Sequence, residues 1–216
     1  IMVNSATHGR FEVLDGLRGV AAVCVMLLHF WEPVFPDAAD NMIPHGYMAV
    51  DFFFCLSGYV LAFAYDGRRD ISVWQLIQLR LIRLHPMVII ATLLCLVCFV
   101  PILALTHQPL SVFGVIRTTA AAFLMVPDSF FTKGGPLFLY TPPAWSLFSE
   151  YLASFAYALI LWRLSRRWLI PIVLLATIPL MVTSYAHGMI DGGWEMKTIE
   201  MGVARVAFSF TLGVLL

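Results

Sequence analysis

The sequence is short of charge: Asp, Glu, Lys and Arg make up 12% of its 216 residues, about half the share in an ordinary soluble domain. A water-soluble globular fold, which needs polar faces around its core, is thereby excluded. Neither sign is in excess. The 13 Lys plus Arg balance the 13 Asp plus Glu, so no basic field exists to hold nucleic acid. Cysteine is scarce too, and Cys24, Cys55, Cys95 and Cys98 all lie in apolar stretches, which argues against a disulfide framework. The CxxC made by the last two reads as small apolar filler. No small-residue cleavage site follows the first apolar stretch, which Arg10, Glu12, Asp15 and Arg18 lead into, so that stretch is expected to stay attached. The histidines are too scattered for a metal site, and none is expected.

What is abundant is apolar sequence, at 61% of residues, with runs such as Met87 to Thr106 that carry no charge. A transmembrane helix needs about 20 mainly apolar residues and satisfies its backbone polar groups internally. Apolar segments fall at 13–31, 47–65, 86–106, 144–162, 168–184 and 203–216, with a weaker one at 111–126. The expected fold is all-α: a polytopic helical membrane protein with six to seven membrane segments. The abrupt apolar end at Leu216 is read as a truncation.

Basic residues cluster at two joints, Arg68, Arg69, Arg80 and Arg83 in one, Arg163, Arg166 and Arg167 in the other. The bias of Lys and Arg toward the cytoplasm places both joints, and the N-terminus with Arg10, inside the cell. Parity then makes 111–126 a re-entrant or interfacial helix. Ile71 to Leu84, with apolar positions at Val73, Leu76, Ile77, Leu81 and Leu84, is expected to lie in the cytoplasmic interface as an amphipathic helix, or else to insert. The Pro127 to Pro143 stretch is expected outside, with Tyr140 and Trp145 at headgroup level, and Asp191, Glu195 and Glu200 in an acidic outer loop.

Ionisable groups inside spans cost several kcal/mol unless paired or hydrated, so Asp15, Arg18, His29, Asp51, Glu150 and Arg205 are functional candidates. Arg18 and His29 share one helix face about 16 Å apart, and Asp15 is within ion-pair range of Arg18. Glu150, with Ser146 four residues before it on the same face, must meet a cavity or a partner. At a depth similar to His29, it suits a carboxylate that orients an imidazole for general-base work on a hydroxyl. Pairing with Arg205 or Arg117 is the alternative. Arg18, Arg80 and Arg83 around one mouth suit a polyanion, although positive-inside topology alone also accounts for them. Ser57 and Gly58 put small residues in mid-span, for close packing or for ligand approach to the backbone.

These stretches, Leu14-Asp15-Gly16-Leu17-Arg18-Gly19 with His29, Val50 to Tyr59, Arg80 to Pro86 and Ala144 to Glu150, resemble in order the membrane family called acyltransferase 3. The resemblance implies a bundle of about ten spans, each near 20 residues. Residues 1–216 would be about the first two-thirds of that single domain. It implies transfer of an acyl group, often acetyl, from cytoplasmic acyl-CoA to a hydroxylated acceptor, commonly a glycan, in the cell inner or plasma membrane. Acyl-CoA is then a co-substrate and no cofactor stays bound. His29 would be the essential imidazole with Glu150 beside it. Arg18, Arg80, Arg83 and Ser57 would hold the donor, while Asp15, Asp51, Trp145 and Ser146 shape the site. His85, Cys55 and Tyr151 stand where relatives often carry Tyr, Val and a second Glu. A transporter or channel using the same charges is the rival, although no inverted repeat is found. A catalytically silent membrane partner is a third possibility.

Overall fold

The computed structural model describes residues 5–35, 40–66, 68, 71–105, 111–129 and 135–216. Arg69, Thr106 and residues 130–134 of the expected outside loop lie outside them. Among the described residues the α-helices are α1 (Ser5–Trp31), α2 (Met48–Tyr65), α3 (Val73–Leu105), α4 (Val112–Phe123), α5 (Ala144–Leu159), α6 (Arg166–His187) and α7 (Ile199–Leu215). All but α4 are long and apolar enough to cross a membrane, counting the short 3-10 turns Leu161–Arg163 and Met196–Thr198 that extend α5 and α7. The expected polytopic helical fold is the one observed.

Two expectations change. Ile71 to Leu84 is not a separate interfacial helix: from Val73 it is the first part of α3, which runs on through Pro86. Its apolar stripe turns inward, with Leu76 fully buried and Ile77, Leu81 and Leu84 against the core, so the amphipathic pattern recorded a bundle contact, not a lipid surface. Trp145 and Tyr140 are both buried within the bundle, so neither ring faces out of it. Helix α4, at 12 residues, is about 18 Å long and cannot cross the roughly 30 Å hydrocarbon layer. The Ser111 hydroxyl caps its start by accepting from the Gly114 amide at 3.3 Å.

Helix α2 is the hub, packed on α1, α5 and α7. Its contact with α7 is backbone on backbone. A Cβ added at Gly58 would lie 2.2 Å from the Phe210 carbonyl oxygen, and one at Gly213 would lie 1.8 Å from that of Cys55. The sequence read Gly58 as a close-packing position; its partner glycine on α7 is a finding of the structure. At one end of the bundle the Tyr157 hydroxyl donates to Asp66 at 2.7 Å and the Trp162 indole to the Tyr65 carbonyl at 3.0 Å, tying α5 to the end of α2. At the other end the loops before α5 and α7 join: the Leu137 amide donates to the Trp194 carbonyl at 2.8 Å and Met196 to Gly135 at 3.1 Å.

Gly213→Ala has no soft neighbour to displace and is expected to cost about 2 kcal/mol or more, as overpacked interiors do. Gly16→Ala, which meets nothing within 4 Å, serves as its control. Thermal unfolding of both variants in mild detergent checks this, and equal midpoints would contradict the close approach.

Candidate active site

A cavity of about 430 Å³ opens between α1, α2, α3 and α5. Arg18, Arg80, Arg83, Glu150, Ser57 and Ser146 all line it, among apolar side chains such as Val25, Val50 and Leu147. Four helices distant in sequence thus bring six of the sequence-selected residues to one chamber. A groove of about 470 Å³ between α5 and α7 is slightly larger, but its lining carries no charged side chain, whereas the chamber gathers three guanidiniums and a carboxylate.

Arg80 is only 4% exposed, and an unpaired guanidinium there would cost several kcal/mol. It is instead paired and hydrogen-bonded through two of its nitrogens. One terminal nitrogen, Nη2, donates to Oε1 of Glu150 and, at 2.7 Å, to the Ser57 hydroxyl, while Nε donates to the Ser154 hydroxyl at 3.2 Å. Ser57 in turn donates to the same Glu150 oxygen at 2.6 Å. Glu150 therefore pairs with Arg80, and neither Arg205 nor Arg117 is its partner. Arg83, one turn further along α3, is exposed on the cavity wall. Arg18 donates to Asp15 at 2.8 Å across one turn of α1. The Ser146 hydroxyl donates to the Pro143 carbonyl at 2.9 Å, in the first turn of α5.

His29 is not part of that chamber. It sits at the far end of α1, with Nδ1 2.9 Å from Oε2 of Glu32 and both side chains largely exposed. The turn that leads into α2 packs there: a Cβ on Gly46 would lie 3.1 Å from Leu28 Cβ. Ser57 follows Met48 by nine residues, about 14 Å along α2. Glu150, hydrogen-bonded to Ser57, is thus not beside His29, and the carboxylate that contacts His29 is Glu32. An acid three residues after a histidine was a visible signal, outweighed by the more unusual mid-span Glu150.

A second buried charge holds the His29 end together. Arg205, 1% exposed, donates through Nε to both Asp51 oxygens at 3.3 and 3.2 Å and through Nη2 to Asp51 at 2.8 Å. It also donates to the carbonyls of Tyr47 and Gly192, each at 3.0 Å, and lies 3.6 Å from Asp191. The rings of Trp145 and Tyr47 cover its carbon at 5.3 and 5.7 Å, which explains why Trp145 is buried. Asp51 and Trp145 are thus structural partners of Arg205, away from the chamber. The charges fall into two paired layers rather than the single file a permeation path needs.

Residues 11–216 match the family described as the acyltransferase domain, acyltransferase 3. The chain belongs to the acyltransferase 3 family. It is also similar to "Protein 2 in picA locus" of Rhizobium radiobacter, 34% identical over 161 residues that cover 69% of this chain and 81% of that protein. No solved structure matches. As an acyltransferase 3 member the protein is a membrane acyltransferase, and the stretches that carried the resemblance are those converging on the chamber through Arg18, Ser57, Arg80 and Glu150. Within this acyltransferase, Ser154 and Asp191 escaped sequence reasoning. Ser154 lies one turn after Glu150 on the same face of α5, a spacing that could have found it, whereas nothing local ties Asp191 to Arg205.

Asp191, in the loop between α6 and α7, has its carboxyl pushed above the ordinary value of 3.8 by burial; Arg205 opposes this, Glu32 adds to it, His29 opposes it and Asp51 adds to it. A raised carboxyl pKa means the folded state binds the proton more tightly than the unfolded chain. Its ionisation therefore erodes stability as pH rises from 3.8 through the raised value. Asp191→Asn should gain on the parent protein over that window in thermal-shift series, and a gap that does not widen with pH would contradict this. Asp51→Ala strands the buried Arg205 and should cost about 3–5 kcal/mol. The double change Asp51→Leu with Arg205→Met should recover most of that in the same unfolding measurement.

Proposed function

We propose that this acyltransferase moves an acyl group, acetyl in the simplest case, from acyl-CoA to a hydroxyl of an extracytoplasmic or cell-surface acceptor, a carbohydrate by preference. The observation that carries it is the chamber whose wall presents three guanidiniums, Arg18, Arg80 and Arg83. Planar guanidinium forks match the phosphate oxygens of the CoA head group. The positive-inside rule supports a cytoplasmic origin for the donor, since Arg68, Arg163, Arg166 and Arg167 gather where α2 ends and α6 begins. On that reading the N-terminus is cytoplasmic, in a cell inner or plasma membrane, and His29 faces outward.

His29 supplies the imidazole. Glu32 on Nδ1 fixes the tautomer that leaves Nε2 free to take the acceptor's hydroxyl proton. The hydroxyl oxygen then attacks the thioester carbonyl, and the CoA thiolate leaves and takes up a proton. The pantetheine arm covers the way from the chamber to His29 and keeps the reacting carbonyl away from the phosphates. The 430 Å³ chamber holds the inner part of the donor.

Membranes containing the protein, incubated with labelled acetyl-CoA, test this directly. Label is expected in a glycan fraction, and its absence from every hydroxylated fraction would overturn the assignment. His29→Ala should lower transfer at least about 100-fold, the usual worth of a general base, with CoA binding retained. Arg83→Ala should raise KM for acetyl-CoA about tenfold or more, as expected for one lost charge-assisted bond, with kcat nearly unchanged.

A further inference from the structure

The chamber that the donor phosphates must enter already contains an anion. Glu150 occupies Arg80 and Ser57, the two best-buried donors on its wall, and it does so with one carboxylate oxygen, Oε1, that receives both. A phosphate oxygen offers the same acceptor chemistry with more charge. Both anions cannot share the site cheaply, because like charges a few ångströms apart in a poorly hydrated interior repel strongly. Either the phosphate stays away from Arg80, or Glu150 gives it up.

We infer that Glu150 is a stand-in for a donor phosphate: acyl-CoA binding transfers Arg80 from the Glu150 carboxylate to a phosphate oxygen. This rests on the acyl-CoA reading above. One ion pair replaces another, and no covalent bond to the protein forms or breaks. Ser57 can serve either state, since its hydroxyl donates to Glu150 now and can turn to a phosphate oxygen.

The surroundings favour the exchange. From α1, Arg18 faces the chamber with its own counter-ion, Asp15; from α3 come Arg80 and Arg83; from α2, Ser57. On α5, Ser154 holds Arg80 through Nε, a bond that survives the exchange and keeps the guanidinium in place, and Tyr151 beside Glu150 is held by His85 at 3.3 Å. Arg205 on α7 is committed to Asp51 and cannot take over the freed carboxylate. Arg18 and Arg83 are the other cations on the chamber wall, and they remain to balance the carboxylate and the phosphate together.

Calorimetric titration of CoA into the protein in lipid nanodiscs tests this. Glu150→Gln should bind CoA about tenfold tighter than the parent, because no carboxylate has to be displaced. Ser57→Ala keeps the carboxylate and should show no such gain, which separates the exchange from simple disturbance of the chamber. Equal or weaker binding by Glu150→Gln in a protein with the parent's melting behaviour would overturn the inference. Failure of the parent itself to bind CoA would strike the donor assignment instead.

Discussion

The interaction on which the rest of the molecule depends is the burial of Arg205 against Asp51. A guanidinium that is 1% exposed has to satisfy its nitrogens inside the protein, and here it does so by touching three separate parts of the chain. Asp51 and Tyr47 belong to the start of α2 and the turn before it, Gly192 and Asp191 to the loop entering α7, and Trp145 to the first turn of α5. The sheer cost of leaving that charge unmatched makes these elements a single assembly. Close approach of α2 and α7 through Gly58 and Gly213 then follows along the same seam.

Helix α2 therefore carries two polar layers with different duties. Asp51 serves the closed layer, where each donor of Arg205 has a settled acceptor. Ser57, six residues and about 9 Å further along, serves the open layer beside the cavity, where Arg80 and Glu150 converge on it. The first layer is closed and the second borders open space, and the apolar turn between them keeps the two apart.

Much of this was legible in the sequence because a membrane makes polar residues conspicuous. The six crossing helices were visible as apolar runs, Arg18 and Glu150 stood out as residues the hydrocarbon layer rejects, Arg80 as part of a basic joint and Ser57 as a small residue in mid-span. What could not be read was who pairs with whom. Arg80 and Glu150 are 70 residues apart, Arg205 and Asp51 154, and spacing carries no information at such range. The amphipathic stripe of 73–84 fitted an interfacial helix as well as a buried one until α5 was seen against it. Trp145 was legible as an aromatic at the end of a span, but only the tertiary fold reveals the cation beneath it.

The glycine contact between α2 and α7 does more than allow two helices to approach. Gly58 is the residue next to Ser57, so the oxygen on which Arg80 and Glu150 converge is registered against a hard stop made of peptide backbone. Side chains yield by changing rotamer; a carbonyl in a helix does not. The polar centre of the chamber is thus gauged by the least compliant material in the bundle, and a methyl group added at Gly58 would put the working site out of true before it melted the fold.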